Sequence, residues 1–362
     1  MSLGTIIAGK YQLEAIAGEG GMATVYKAVT RGAAGFARPV AIKRIRPEYR
    51  GLKNYIAMFI EEARVGAELA HPNIVQVHDF VVEDGSYCLV MEWVEGIDVG
   101  TLLKAEKAKG TLLPWPLVAA IGEGTLHGLG AAHSRIAADG TPAPVIHRDV
   151  SPHNILVGQN GVVKLSDFGL ARARDRAGSL TAPGTVKGKL SYLAPEVTFG
   201  KGNSAQSDIF TTAAVLWELL TGVRLFDGKT DLEVFKKIRA TVVPPLSGYR
   251  TDVPAGVEAA IAMGLAHKPE ARFTTAEAFA LALREQLALA GIVDVPARLA
   301  QAVAAVRATQ APLPPSGARP VTLGGLTEAD SGAITMSLEL DLAAPSAADL
   351  DLPAAGRNPR RS

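Results

Sequence analysis

The chain of 362 residues is poor in the features that mark secreted, membrane or nucleic-acid-binding proteins. It has one cysteine, Cys88, so no intramolecular disulfide can close, and too few thiolates are present for a structural zinc site. It has no excess of either charge: 37 Lys+Arg stand against 36 Asp+Glu, a net charge of +1. No field therefore draws it to nucleic acid or to an anionic membrane. Long apolar runs are missing too. The most apolar stretch, Thr211 to Val223, is too short to span a bilayer and contains Glu218. The opening residues, MSLGTIIAGKYQLEAI, lack the basic stretch, apolar run and small-residue cleavage site of a secretion signal. No internal repeat is visible. These absences predict a soluble, cytoplasmic protein with no membrane span and no nucleic-acid partner.

What is present divides in two. Tyr11–Ile16 and Ala23–Val29 read as strands around a glycine-rich turn, and Val40–Ile45 as a further strand. Residues 54–70 have helical spacing, with Phe59, Ala63, Ala67 and Ala70 as the apolar stripe. Ile74–Phe80 and Tyr87–Met91 return to strand-like β-branched and apolar runs. From about residue 113 the periodicity becomes mostly helical. Ala137–Pro144 is rich in turn formers and reads as a surface loop. After Gly291 a short helix is expected over Ala297–Ala308, with Leu299, Val303 and Val306 as a narrow stripe. Beyond Ala311 the Pro/Gly/Ser/Ala-rich sequence predicts disorder.

The densest chemical signal is His147-Arg148-Asp149, followed by Asn154 and then by Asp167-Phe168-Gly169, with Val162–Leu165 as a strand leading into the last of these. One carboxylate is available to meet a substrate hydroxyl. An amide and a second carboxylate offer oxygen ligands suited to Mg2+ on a nucleotide's phosphates. Phosphoryl transfer asks for charge placed around the moving group and an aligned nucleophile rather than for covalent chemistry from the protein. Upstream lie Gly18-Glu19-Gly20-Gly21-Met22-Ala23-Thr24-Val25, then Ala41-Ile42-Lys43, then Glu62 on the expected helix. Downstream lie Ala194-Pro195-Glu196, Asp208 in an apolar helix, and Arg272.

Over residues 11–287 this set resembles the eukaryotic-like (Hanks-type) bacterial serine/threonine protein kinases. The resemblance implies an α+β, bilobal protein-kinase fold. A small β-rich N-lobe with one main helix would occupy about 11–95, and a larger α-helical C-lobe about 96–287. Residues 1–10 would be an N-terminal extension, 288–310 a short helical extension and 311–362 a tail. The implied activity is Mg2+-dependent transfer of the ATP γ-phosphate to Ser or Thr hydroxyls of protein substrates. Asp149 would be the catalytic base, with Lys43 on the α/β-phosphates, Glu62 pairing with Lys43, and Asn154 and Asp167 on the metal. The nucleotide would be bounded by Ile16, Ala17 and the glycine-rich residues through Val25, and by Ala41, Met91, Glu92, Val94, Asp98 and Leu156. Glu196 would pair with Arg272, and Asp208 would bind backbone amides of the catalytic loop.

Three departures stand out. Ala23 replaces the third glycine, Ser151 stands where the family usually has lysine, and Lys189 stands where it usually has threonine. Together the last two read as an exchange that restores a positive charge near Asp149; a nucleotide-binding scaffold without turnover is the alternative. Arg148 before the catalytic aspartate implies control by activation-loop phosphorylation, with Thr185 as acceptor and Arg148 and Arg172 as its receivers, and with self-association for phosphorylation in trans. Ser179 and Thr181 are weaker acceptors. His71, His78, His127, His133 and His153 fall on different predicted elements without metal-ligand spacing, and His147 is expected to pack in the core.

Overall fold

The computed structural model describes residues 3–168 and 190–309. Gly169, Arg172, Ser179, Thr181, Thr185, Lys189 and the tail from 311 lie outside the described residues.

A curled antiparallel sheet forms first. Its strands are β1 (Ile6–Ile7), β2 (Tyr11–Glu19), β3 (Ala23–Arg31), β4 (Ala37–Ile45), β5 (Val77–Glu83) and β6 (Ser86–Glu92). Among the described residues they pair in the order β1-β2-β3-β4-β6-β5. Alternation along β2 sends Tyr11, Leu13 and Ala15 inward, as a half-buried strand requires. Within residues 1–10, the expected N-terminal extension, Ile7 is fully buried and pairs with Tyr11. A two-residue strand carries too short a pattern to register as one.

Helix α1 (Lys53–Ala67) crosses this sheet. The expected stripe needs correcting: Phe59 and Ala63 are buried but Ala67 and Ala70 are exposed, and the helix closes at Ala67. The face that packs inward instead includes Glu62 and Gly66. A carboxylate has no place in an apolar count, and Gly66 is there because a Cβ would meet Val77 Cγ2 at 2.5 Å. Strand β5 also starts later than its apolar run, because Ile74 bridges to Leu165 and the Val75 N–H donates to the Leu165 carbonyl at 2.9 Å.

The second lobe begins with β7 (Gly96–Asp98), α2 (Val99–Ala108) and α3 (Trp115–His133), then β8 (Ile155–Gly158) and β9 (Val163–Leu165). The chain resumes with α4 (Pro195–Thr198), α5 (Ala205–Thr221), α6 (Asp231–Ala240), α7 (Ala255–Gly264), α8 (Ala276–Leu289) and α9 (Val295–Arg307). Its core centres on α5, where Phe210, Leu216 and Trp217 are all buried. Ser204 and Ser207 form a capping box at the start of α5, and Gly222 closes it at φ 75°. Among the described residues no helix is long and apolar enough to cross a membrane.

Candidate active site

The cleft between the lobes is about 690 Å³. Ala17, Gly18, Val25 and Ala41 form its roof, Leu156 its floor, and Val75 and Met91 its back wall. Ala17, Val25, Ala41, Met91 and Leu156 sit on paired strands, which gives them little freedom to collapse inward. Glu92, Val94 and Asp98 line the open side. Above the roof the glycine-rich turn is pinned by Gly20 N–H donating to the Ala23 carbonyl at 2.9 Å and Arg46 N–H to the Met22 carbonyl at 3.0 Å. Gly18 and Glu19 pair with Val25 and Thr24 across the hairpin, with Gly21 in its turn. Ile16 points away from a packed environment, 40% exposed. Asp98 is committed locally: it caps α2 by accepting from Thr101 N–H at 3.0 Å, and His153 Nδ1 lies 2.9 Å away. Burial would raise the Asp98 carboxyl, but the bonds from His153 and Thr101 hold it below its ordinary value.

At the inner end of the cleft, β4 delivers Lys43. Its Nζ donates to Glu62 Oε1 at 2.7 Å and to Asp167 Oδ1 at 2.5 Å. Burial pushes the Glu62 carboxyl up, to about 7, with the Lys43 ammonium opposing. Burial lowers the Lys43 ammonium, and Asp167 and Glu62 more than reverse that, holding it above its ordinary value. Two carboxylates thus face one ammonium, an acid excess that a cation would relieve.

The catalytic-loop residues are built from below. Asp208 on α5 accepts His147 N–H at Oδ2 and Arg148 N–H at Oδ1, each at 2.8 Å. His147 is fully buried. Its Nδ1 accepts from Asp149 N–H at 3.2 Å, which leaves Nε2 to donate to the Ser166 carbonyl at 2.8 Å. That ring also meets Phe168 edge-on at 4.6 Å. Asn154 Nδ2 donates to the Asp149 carbonyl at 2.7 Å and to Asp149 Oδ2 at 3.2 Å. Ser166 N–H donates to the Asn154 carbonyl at 2.9 Å, tying the loop to the segment after β9 that carries Asp167. Arg148 at φ 69° and Asp167 at φ 64° are left-handed without being glycine. Such strain persists only where surroundings over-determine it, and it gathers at functional sites.

The structure therefore brings Lys43, Glu62 and Asp167 into contact, and Asp149 onto Asn154. Ser151 is buried, with its carbonyl accepting from Asn154 N–H at 3.0 Å. Lys189, Thr185 and Arg172 lie outside the described residues. In the large lobe Arg272 donates both terminal nitrogens to Glu196, each at 2.7 Å. Among the described residues no group of three or more His, Cys, Asp or Glu side chains forms a metal cluster. Sequence reasoning missed Val75, Trp93, Glu95, Ser166 and Arg307, all of which line the cleft. Val75 lies in an apolar run read as strand, a signal that was visible; Glu95 and Arg307 are isolated charges and carried none.

Residues 11–281 match the family model of the protein kinase domain. The chain is 40% identical over 275 residues to the tyrosine-protein kinase MasK of Myxococcus xanthus, covering 76% of this chain and 42% of that one. It is 36% identical over 277 residues to the serine/threonine-protein kinase PrkC of Bacillus subtilis, covering 76% and 40%. It thus spans about two fifths of the length of these two relatives. With the serine/threonine-protein kinase PknL of Mycobacterium tuberculosis it shares 34% over 283 residues, covering 77% and 67%. Among solved structures, the PknI kinase domain of Mycobacterium tuberculosis superposes with a TM-score of 0.58 at 28% identity, over 79% of this chain and 98% of that one.

Proposed function

This chain belongs to the protein kinase family, and on that premise we propose that it transfers the γ-phosphoryl group of ATP, with Mg2+, to Ser or Thr hydroxyls of proteins. The observation that carries the reading is the cluster beside the cleft in which Lys43 lies between Glu62 and Asp167, with Asn154 holding Asp149.

Asp149 takes, or at least orients, the proton of the attacking hydroxyl. Asn154 fixes the Asp149 carboxylate through its amide nitrogen, which leaves its own oxygen as a ligand. Glu62 keeps Lys43 extended into the cleft for the α/β-phosphates. Asn154 and Asp167 supply the hard oxygen donors that Mg2+ prefers, and their fit is supported by the surplus of carboxylate over ammonium. When bound, the ion would neutralise charge on the phosphates.

In the same proposal Ser151 and Lys189 are an exchanged pair, the hydroxyl coming from the catalytic loop and the ammonium from the segment before Ala194-Pro195-Glu196. A double-mutant cycle tests it: Ser151→Lys and Lys189→Thr each lower turnover and the double variant recovers. A double variant no better than the singles removes the exchange. Thr185, received by Arg148 and Arg172, is the proposed activating phosphosite, reached in trans by a second copy; a cytoplasmic setting accords with the single, buried Cys88.

A second reading has one observation in its favour: MasK, at 40% identity, is named a tyrosine-protein kinase. The test is transfer from γ-labelled ATP with Mg2+, to itself and to a generic basic protein, beside Asp149→Asn. Label on Ser/Thr that falls at least ~100-fold in the variant is expected, with Thr185 among the labelled sites. Label on Tyr alone would replace the Ser/Thr reading. Absence of label at Thr185 would remove the regulatory part. No transfer by nucleotide-binding protein would leave a scaffold.

A further inference from the structure

Helix α9 falls beyond residues 11–281 of the family match, yet it is built into the cleft. Its apolar face, Val295, Leu299, Val303 and Val306, is buried, and it packs on β7, β8, α2 and α3. At its first turn, a Cβ built on Gly161 would stand 1.9 Å from the Pro296 carbonyl oxygen. Gly161 makes the β8–β9 turn at φ +74°. That contact is backbone against backbone, so no rotamer change would relieve it.

At its last turn the helix delivers Arg307 to the cleft wall. Arg307 Nη2 donates to Glu95 Oε1. Glu95 also accepts from Trp93 Nε1 at 2.6 Å, and its carboxylate faces Lys27 Nζ at 3.7 Å. Lys27 in turn lies over the Trp93 ring, 5.3 Å from its centroid. One carboxylate thus joins the roof strand β3, the segment after β6 and a helix outside the family domain. Burial would raise the Glu95 carboxyl, but Trp93 and Arg307 outweigh it and hold it below its ordinary value. Arg307 Nη1 is buried and has no hydrogen-bond partner among the described residues. A guanidinium clamped on one edge with a donor unused on the other is a half-finished contact.

We propose that Arg307 is a nucleotide-binding residue, supplied by helix α9, that closes the outer wall of the cleft and contacts the nucleoside end of the nucleotide. The assignment of the end follows from the neighbours. Arg307 and Trp93 both bond to Glu95 on the segment after β6, whereas the proposed phosphate and metal groups Lys43 and Asp167 bond to each other in a separate cluster with Glu62. This rests on the nucleotide reading above. It makes the binding unit longer than the family domain, extending to residue 307.

The test uses the full chain and isothermal titration with Mg·ATP and with adenosine. Arg307→Met keeps the apolar stem and removes the donors, and Arg307→Lys keeps a charge without the planar fork. For Arg307→Met both ligands are expected to weaken by about tenfold, the scale of one charged hydrogen bond, with Arg307→Lys between it and the wild type. Gly161→Ala, which displaces the start of α9, is expected to weaken both in the same way. Unchanged affinity in Arg307→Met would make Arg307 only a staple between α9 and Glu95 and overturn the proposal. Loss confined to ATP would place Arg307 on the phosphates and overturn the nucleoside assignment. Wild-type protein that binds neither ligand would instead remove the nucleotide reading itself.

Discussion

Two buried cation–carboxylate clusters, one in each half of the molecule, are built to opposite rules. Arg272 spends all five of its N–H donors. Two go to Glu196 and the others to the carbonyls of Ala266, Gln206 and His267, at 2.8, 2.8 and 3.1 Å. The pair is bidentate, charge-matched and closed. Lys43 meets two carboxylates, and Glu62 Oε2 is buried with no hydrogen-bond partner among the described residues. The first cluster is satisfied as it stands. The second carries surplus charge and unmet bonding beside a cleft and next to left-handed Asp167. Stability favours the first arrangement; a site that must receive phosphates and a cation calls for the second.

Removing the cation from each cluster is the strongest way to break this comparison. Arg272→Ala strands a buried carboxylate and three carbonyls, and is expected to cost about 3–5 kcal/mol of stability. Lys43→Met removes the ammonium that opposes the burial of Glu62, so that carboxyl takes a proton instead of remaining a stranded charge, and Asp167 is in partial contact with water, 26% exposed. It should cost only about 1 kcal/mol of stability while lowering phosphoryl transfer ~100-fold or more. Denaturant melts of the two variants beside a labelled-ATP assay check both halves. Equal stability losses would show that the clusters do not differ in kind.

The pH dependence sharpens the contrast. With its carboxyl raised to about 7 from 4.5, folded Glu62 holds its proton where the unfolded chain has lost it. Its contribution is therefore complete below 4.5 and is lost as the pH rises through about 7. Unfolding free energy of ligand-free protein should fall by roughly 2 kcal/mol more in wild type than in Glu62→Gln between pH 5 and pH 8. Parallel profiles for the two proteins would mean that Lys43 keeps Glu62 fully ionised across this range and that burial does not raise its carboxyl.

Much of this was legible because the chemistry is strung along the chain at fixed spacing. Lys43, Glu62, Asp149, Asn154 and Asp167 each sit in a local pattern, and Glu196, Asp208 and Arg272 in patterns of their own. What escaped depends on partners far away in sequence. Ile7 completes a sheet edge from a two-residue strand. The inward face of α1 runs through Glu62 and Gly66, which no apolar count would select. The stripe on α9 was visible, but nothing local says that Gly161 leaves room for Pro296, or that Arg307 and Lys27 share Glu95. Isolated charges read as solvated surface until the fold closes around them.

The mildest probe moves the cleft cluster without touching it. Gly66 lies one turn beyond Glu62 on the buried face of α1, and a Cβ there would meet Val77 Cγ2 at 2.5 Å. Gly66→Ala improves helix propensity by about 1 kcal/mol, an amount that the displaced Val77 offsets, so the net stability change should stay within about 1 kcal/mol. The displacement itself is not offset, because α1 carries Glu62 and the Lys43 contact has a single oxygen to lose. Transfer should therefore fall a few-fold in Gly66→Ala and return in Gly66→Ala/Val77→Ala, where the space is restored. A pair anchored like Arg272 and Glu196 would absorb such a shift through its second oxygen. Full activity in Gly66→Ala would show that the cleft pair absorbs it too, and that its missing hydrogen bond carries no cost.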